Sequence, residues 1–246
     1  MDDPVMISAD SGNPGGNPEI KGLNPFQRVI GVITSPAETM KDLAGKPRIL
    51  FPLLANALGV VGLYLVRFPL YQDFLRRTME MGGAQSNTPM SPEQIEAGVK
   101  MASTFGLIAT PITSLIMLVV ASAIIFGAAK LLKGQGSFKQ TMSVIGYSYV
   151  VTLLYLVLCA VTSFITGNLM LDASLANLTN LFLPDLRGSF AYGIIRGIDL
   201  FSIWYYIVMG IGIAEVNKFS KTKAYSIVAV IYIASILLGA GNNRFM

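Results

Sequence analysis

Few side chains in this sequence could do acid–base or polar chemistry within its apolar segments. Arg196 and Asp199 lie three residues apart in one of them, a spacing that places both on one helix face, where they can pair. Arg67 and Glu215 are further ionisable residues within or at the end of such segments. Because a charged group in a membrane is costly, these positions are functional candidates. The pair either fixes helix register or contacts a substrate, unless Arg196 simply extends to the interface.

The sequence excludes several classes of enzyme. Histidine is absent and Cys159 is the one cysteine, so a histidine base, a Ser-His or Cys-His pair and an intramolecular disulfide are impossible. The HExxH, GxSxG and phosphate-loop motifs do not occur. Asp199 lacks a second intramembrane aspartate with which to form a catalytic dyad. We therefore predict a protein that is not an enzyme and has no cofactor and no metal site.

The composition is that of an integral membrane protein. Hydrophobic residues make up 53% of the 246 residues and charged residues 13%, whereas soluble domains carry about 25% charged residues. The net charge of +4 requires no nucleic-acid partner, because lysines beside anionic lipid headgroups explain it.

Five apolar segments are long enough to cross a bilayer, which takes roughly 20 residues in a helix. We predict an all-α polytopic fold of five transmembrane helices, with Pro111 kinking or breaking the second. The segments run from about 48 to 71, 102 to 132, 142 to 166, 194 to 216 and 224 to 241.

Two different regions precede the spans. Residues 1–22 are rich in Gly, Pro, Asn and Asp, which predicts a disordered tail. Residues 24–44 contain two helix-start signals, Asn24-Pro25 and Ser35-Pro36. Arg28 lies off the apolar stripe of the first helix. These helices are too short to span, so we expect them to lie on the membrane surface ahead of a transmembrane domain at 48–241. The stripe is formed by Phe26, Val29, Ile30 and Ile33.

The distribution of basic residues predicts the orientation. Most of the 18 basic residues fall on the side that carries the N-terminus, and the positive-inside rule places that side in the cytoplasm. We expect a bacterial cytoplasmic-membrane protein with its N-terminus inside and its C-terminus outside. The residues on the inner side are Lys21, Arg28, Lys41, Lys46, Arg48, Lys130, Lys133, Lys139, Lys218, Lys221 and Lys223.

Small residues four apart predict close helix packing. Gly193 with Gly197, and Gly210 with Ala214, have this spacing in the fourth span. They are contacts within the bundle or faces of a homodimer. The neighbouring aromatic run from Trp204 to Tyr206 is interpreted as core packing.

A short motif at the start of the third span, Gly146-Tyr147-Ser148, resembles an element of the Ypt-interacting-protein (Yip) family. The turn GQGSFKQ before it and the run DLFSIW from Asp199 resemble the bacterial branch, and the likeness covers about 25–241. It implies five spans, a cytoplasmic N-terminus and no catalytic residues. Eukaryotic members bind Rab-type GTPases, but the DLYGP-like element expected for this is missing, so GTPase binding does not carry over. Some bacterial relatives accompany ABC-type exporters.

We therefore expect a non-enzymatic scaffold or accessory protein whose partners are the lipid bilayer and a membrane protein or a second copy. It would dock through the fourth-span face and the lysine-bearing turns. The alternative is a small-solute or ion transporter or channel subunit that uses Asp199 and Arg196, with Pro111 interrupting a helix along the pathway. A weaker alternative is a lipid-shaping protein that acts through 24–44.

Overall fold

The computed structural model describes residues 22–85, 90–167, 169, 174–176 and 189–242. The predicted disordered tail, apart from Gly22, lies outside these residues. The described elements are helices, which confirms the all-α fold. They are α1 Pro25–Thr34, α2 Pro36–Gly45, α3 Leu50–Val66, α4 Phe68–Gln85, α5 Pro92–Leu131, α6 Phe138–Ser148, α7 Val150–Thr166, α8 Phe190–Arg196, α9 Leu200–Asn217 and α10 Lys221–Asn242.

The described helices include several that could cross a membrane. Four qualify by length and apolar composition: α5, the run Phe138–Thr166 formed by α6 and α7, α9 and α10. The pair α3 and α4 is bent by 67° and makes a fifth span if it is counted as one. A polytopic helical membrane protein is therefore confirmed.

Capping residues explain where several helices begin. Asn24 with Gln27, and Ser91 with Gln94, form reciprocal capping boxes at the starts of α1 and α5. Such boxes satisfy backbone N–H groups that have no partner within the helix. Ser35 precedes α2 as predicted, but its side chain makes no capping hydrogen bond. The proline at the first position of α2 still favours a helix start there.

The predicted first span, 48–71, is not one straight helix. Helix α3 ends at Val66, and Arg67 leaves the helical conformation before α4 begins at Phe68. Pro69 follows two residues later, and a proline cannot donate the helical hydrogen bond to the residue four positions earlier. The 67° bend between α3 and α4 therefore lies at Arg67, a charged residue.

Helix α5 is far longer than a span requires. Its 40 residues extend for about 60 Å, roughly twice the hydrocarbon thickness. Its first half packs against α4, where Arg76 bonds to Glu96 and Asp73 at 2.7 and 2.8 Å. Pro111 lies inside α5 without ending it, so the second span is not broken there.

Helix α9 lies at the centre of the bundle, in contact with α2, α6, α7 and α10. A Cβ at Gly212 would lie 2.4 Å from Val144 Cγ1, and one at Gly210 would lie 2.6 Å from the Tyr225 ring. Ala214 is also buried. The half of the fourth span from Val208 to Asn217 therefore packs inside the bundle, and docking through the rest of this span stays a prediction. Its exposed apolar side chains form a narrow strip of Leu200, Ile203 and Ile207.

Candidate functional site

The structure separates Arg196 from Asp199. Arg196 is the last residue of α8, whereas Asp199 is the N-cap of α9, where its Oδ1 accepts a hydrogen bond from the Ser202 N–H at 2.8 Å. The prediction that both share one continuous helix face is therefore wrong. Asp199 competes with the helical backbone for hydrogen bonds, as short polar residues do, and starts a new helix instead.

Among the described residues, no ion pair is formed between Arg196 and Asp199. Both residues line one cavity of about 890 Å³. Its walls are α5 on one side, and α8, α9 and α10 on the other. Gly193 and Gly197 also line it, and Gly197 approaches Ile236 of α10 so closely that a Cβ would lie 2.9 Å from its side chain.

The cavity wall is polar for a membrane-embedded space. Tyr232 donates a hydrogen bond from its hydroxyl to the Gly197 carbonyl at 2.9 Å, and the hydroxyls of Tyr206 and Ser235 are 3.4 Å apart. Tyr205, predicted to be core packing, lies partly against the core and also lines this space. The cavity can therefore hold a molecule that has both polar and apolar parts.

Arg67 lies in a neighbouring cavity of about 390 Å³ and does not meet Asp199. The two cavities share Thr110, Ser114 and Tyr149 in their walls. Arg67 donates a hydrogen bond to the Leu169 carbonyl, while its Nε is buried and has no hydrogen-bond partner among the described residues. Glu215 lies near the far end of α9 and makes no ion pair with any described residue.

The least expected polar site is a clasp between α1 and α2. Arg28 is only 1% exposed, and its guanidinium bonds to Asp42 Oδ2 at 2.7 Å and to the Lys46 carbonyl at 3.0 Å. Asp42 Oδ1 also accepts from the Leu23 N–H at 3.2 Å. From the sequence, Arg28 was noted only as a residue off the apolar stripe of α1 and as one of the basic residues on the inner side. The signal for this pair was an acidic residue in the next short helix, which contains Glu38 and Asp42.

The Gly146-Tyr147-Ser148 motif supports this clasp. Tyr147 is fully buried, and the Arg28 guanidinium carbon lies 5.8 Å from its ring centroid. A Cβ at Gly146 would lie 3.0 Å from Pro52, so α6 can approach α3 closely. We define the clasp as Arg28, Asp42 and Tyr147. It docks the α1–α2 hairpin on the bundle, a contact that the sequence did not predict.

Asn217 joins two turns at the same end of the bundle. Its Oδ1 accepts from the Gly136 N–H at 3.2 Å, and its carbonyl accepts from the Gln135 N–H at 3.4 Å. Because a Cβ at Gly134 or Gly136 would lie 2.4 or 2.9 Å from that Oδ1, both positions require glycine. The turn between α5 and α6 is therefore fixed to the end of α9.

This end of the bundle carries most of its exposed lysines, and we call it the lysine end. Few acidic residues accompany them: Glu38 is exposed, Asp42 belongs to the clasp and Glu215 is half-buried. The exposed basic residues at this end are Lys41, Lys46, Arg48, Lys130, Lys133, Lys139, Lys218 and Lys221.

Comparison with known proteins identifies the family. The profile of the Yip1 domain matches residues 30–241, which contain the Gly146-Tyr147-Ser148 motif and the cavity. The chain belongs to the Yip1 domain family. The resemblance inferred from Gly146-Tyr147-Ser148 is thereby confirmed. Membership of this family agrees with a membrane protein built from several apolar helices.

A curated bacterial relative agrees with this assignment. "Membrane protein YknW" of Bacillus subtilis (strain 168) is 26% identical over 207 residues, which cover 82% of this chain and 84% of the relative. No solved structure matches significantly. The family and its named relative point to a non-catalytic membrane protein.

Proposed function

We propose that this chain is a non-enzymatic accessory or scaffold protein of the bacterial cytoplasmic membrane. The lysine end supports the proposal most directly. Asn217 fixes the turn between α5 and α6 at this end. The ion pair between Arg28 and Asp42 fixes the α1–α2 hairpin. The charged side chains of the lysine end therefore lie on a structured surface. By the positive-inside rule this end faces the cytoplasm. A partner with an acidic cytoplasmic surface fits it.

Neutralising the lysine end should release the partner. We expect the amount of any stoichiometric membrane-protein partner that co-purifies to fall about tenfold in the variant Lys41→Gln/Lys139→Gln/Lys221→Gln. Charges at the rim of an interface guide and strengthen such contacts. The measurement is quantitative mass spectrometry after mild-detergent purification from native membranes.

The matched control is Arg77→Gln/Lys100→Gln. It removes exposed basic residues from the α4–α5 pair, remote from the lysine end, and should retain the partner. An equal loss in both variants, or solute transport by the purified chain alone, would contradict the proposal. Sided labelling of both variants checks that the removal of charge has not altered the orientation.

A transport role is the second candidate, and the cavity lined by Arg196 and Asp199 favours it. If the cavity is a pathway, proteoliposomes of the wild-type chain will conduct K⁺ or H⁺, and Asp199→Asn will abolish the flux while it leaves folding intact. Ion-sensitive dyes inside the vesicles measure this. Wild-type vesicles as tight as empty ones would remove this candidate.

A further inference from the structure

Arg67, at the bend between α3 and α4, is a cation without a counter-charge. Its guanidinium donates a hydrogen bond to the Leu169 carbonyl, but its Nε is buried and has no hydrogen-bond partner among the described residues. None of the ion pairs within the described part of the chain includes Arg67. A charged group at membrane depth is costly unless a partner neutralises it. Arg67 therefore offers a positive charge and a hydrogen-bond donor that an anion would satisfy.

The depth of Arg67 in the membrane indicates which kind of anion can reach it. Arg67 follows the 17 residues of α3, which extend for about 26 Å from the lysine end. Ser114 lines the same cavity and lies about as far from the end of α5 at Leu131. Because the hydrocarbon layer is about 30 Å thick, the cavity lies close to the boundary opposite the lysine end. The phosphate groups of lipids lie just beyond that boundary.

The cavity beside Arg67 has the size and the polarity of a lipid headgroup site. Its volume of about 390 Å³ falls within the roughly 300–1,000 Å³ of small-molecule sites. This volume suits a headgroup and the start of its chains rather than a whole phospholipid. Leu63 and Val60 line the cavity about one and two turns deeper in the membrane than Arg67. A lipid likewise has its phosphate at the boundary and its methylene groups further in.

The other polar groups of the cavity favour an anionic headgroup over a zwitterionic one. The described wall contains no carboxylate that would bind the ammonium group of a zwitterionic lipid, and Arg67 is its one charged residue. Tyr64 and Thr110 donate their hydroxyl hydrogens to the carbonyls of Ser103 and Gly106 at 2.8 and 2.6 Å. These hydrogen bonds fix both side chains, so this part of the wall is formed before a ligand enters.

We propose that this cavity binds the phosphate of an anionic phospholipid from the leaflet opposite the lysine end, with Arg67 as its counter-charge. A guanidinium can bind two phosphate oxygens through neighbouring N–H groups. The single negative charge of a phosphodiester balances the single positive charge of Arg67. This site is independent of the accessory role, because it uses no residue of the lysine end.

The test is native mass spectrometry of the delipidated full chain with dioleoylphosphatidylglycerol or dioleoylphosphatidylcholine added at increasing concentrations. We expect the first phosphatidylglycerol to bind at least about tenfold more tightly than the first phosphatidylcholine, because only the former has a net charge opposite to that of Arg67. Arg67→Gln should weaken phosphatidylglycerol binding about tenfold for the same reason. Glutamine retains an N–H donor for the Leu169 carbonyl, and gel filtration checks that the variant is folded.

A second variant tests the cavity without changing Arg67. Leu156 lines the cavity from α7, so Leu156→Trp should fill part of the space and weaken phosphatidylglycerol binding about tenfold, since overpacked sites exclude their ligands. This variant retains the positive charge and its bond to Leu169. It therefore tests the site even if Arg67→Gln does not fold.

Two controls separate the cavity from other basic surfaces. Arg77→Gln removes an exposed charge from α4, and it should change the affinity for the first lipid less than about twofold, because exposed charges are screened. The variant Lys41→Gln/Lys139→Gln/Lys221→Gln should also retain this lipid.

Four results would overturn the inference. The two lipids bind equally well, or both cavity variants bind phosphatidylglycerol as well as the wild-type chain does. Either control loses the lipid as fully as Arg67→Gln, which would place the lipid on another basic surface. Inorganic phosphate displaces the lipid and binds in its place, which would make free phosphate the ligand.

Discussion

Replacing Arg28 by methionine is expected to destabilise the protein by about 3 kcal/mol. The change leaves Asp42 and the Lys46 carbonyl without their partner, and breaking a buried ion pair by removing one member costs about 3–5 kcal/mol. The α1–α2 hairpin should then leave the bundle and unfold locally, so that trypsin can cleave the backbone after the exposed Lys41 and Lys46. Unfolding in mixed micelles of mild detergent and dodecyl sulfate measures the loss, and limited proteolysis locates it.

The matched control is Arg76→Met. Arg76 also bonds to two carboxylates, but its side chain is 36% exposed, and exposed ion pairs contribute about 0–1 kcal/mol. The double variant Arg28→Met/Asp42→Leu should recover much of the loss, because no buried charge is left unpaired. If Arg28→Met were no more damaging than Arg76→Met, the clasp would not hold the hairpin.

Replacing Gly136 by alanine is expected to cost about 2–3 kcal/mol. Its Cβ would lie 2.3 Å from Val216 Cγ1 and 3.1 Å from the Val216 carbonyl oxygen, and overpacking of this kind costs roughly 1–3 kcal/mol. The backbone must shift, so the bond from Gly136 N–H to Asn217 should also weaken. The same micellar unfolding measures the change in free energy.

Gly127→Ala is the control for this substitution. Gly127 lies in α5 with no atom within 4 Å of a Cβ, so alanine should stabilise the helix by about 1 kcal/mol through its higher propensity. Opposite signs for the two variants are the expected outcome. A neutral or stabilising Gly136→Ala would show that the turn between α5 and α6 is not fixed to α9.

Hydropathy and capping signals predicted most of the architecture because they are local. Apolar runs predicted membrane helices, and Asn24 predicted where α1 begins. The break at Arg67 and the second helix start at Asp199 were missed, since both lie within runs that are apolar on average. Average hydropathy predicted a continuous helix in each case. A single residue interrupts it, Pro69 in the first and the capping residue Asp199 in the second.

The candidate sites were harder to predict because they depend on packing between distant segments. Arg196 and Asp199 line one cavity, but the cavity is also formed by residues of α5 and α10, which are distant in the sequence. Arg28 meets Tyr147 only because α1 folds back over α6. Asn217 is a similar case, since no local pattern indicates that it holds a turn about 80 residues earlier in the chain.

The accessory role is tested most directly by native mass spectrometry of the complex released intact from native membranes. We expect to find this chain in fixed stoichiometry with a different membrane protein. That partner should be lost in the Lys41→Gln/Lys139→Gln/Lys221→Gln variant and retained in the Arg77→Gln/Lys100→Gln control. If the chain is found only by itself or as a homo-oligomer, in membranes that contain it at natural abundance, the accessory role is wrong.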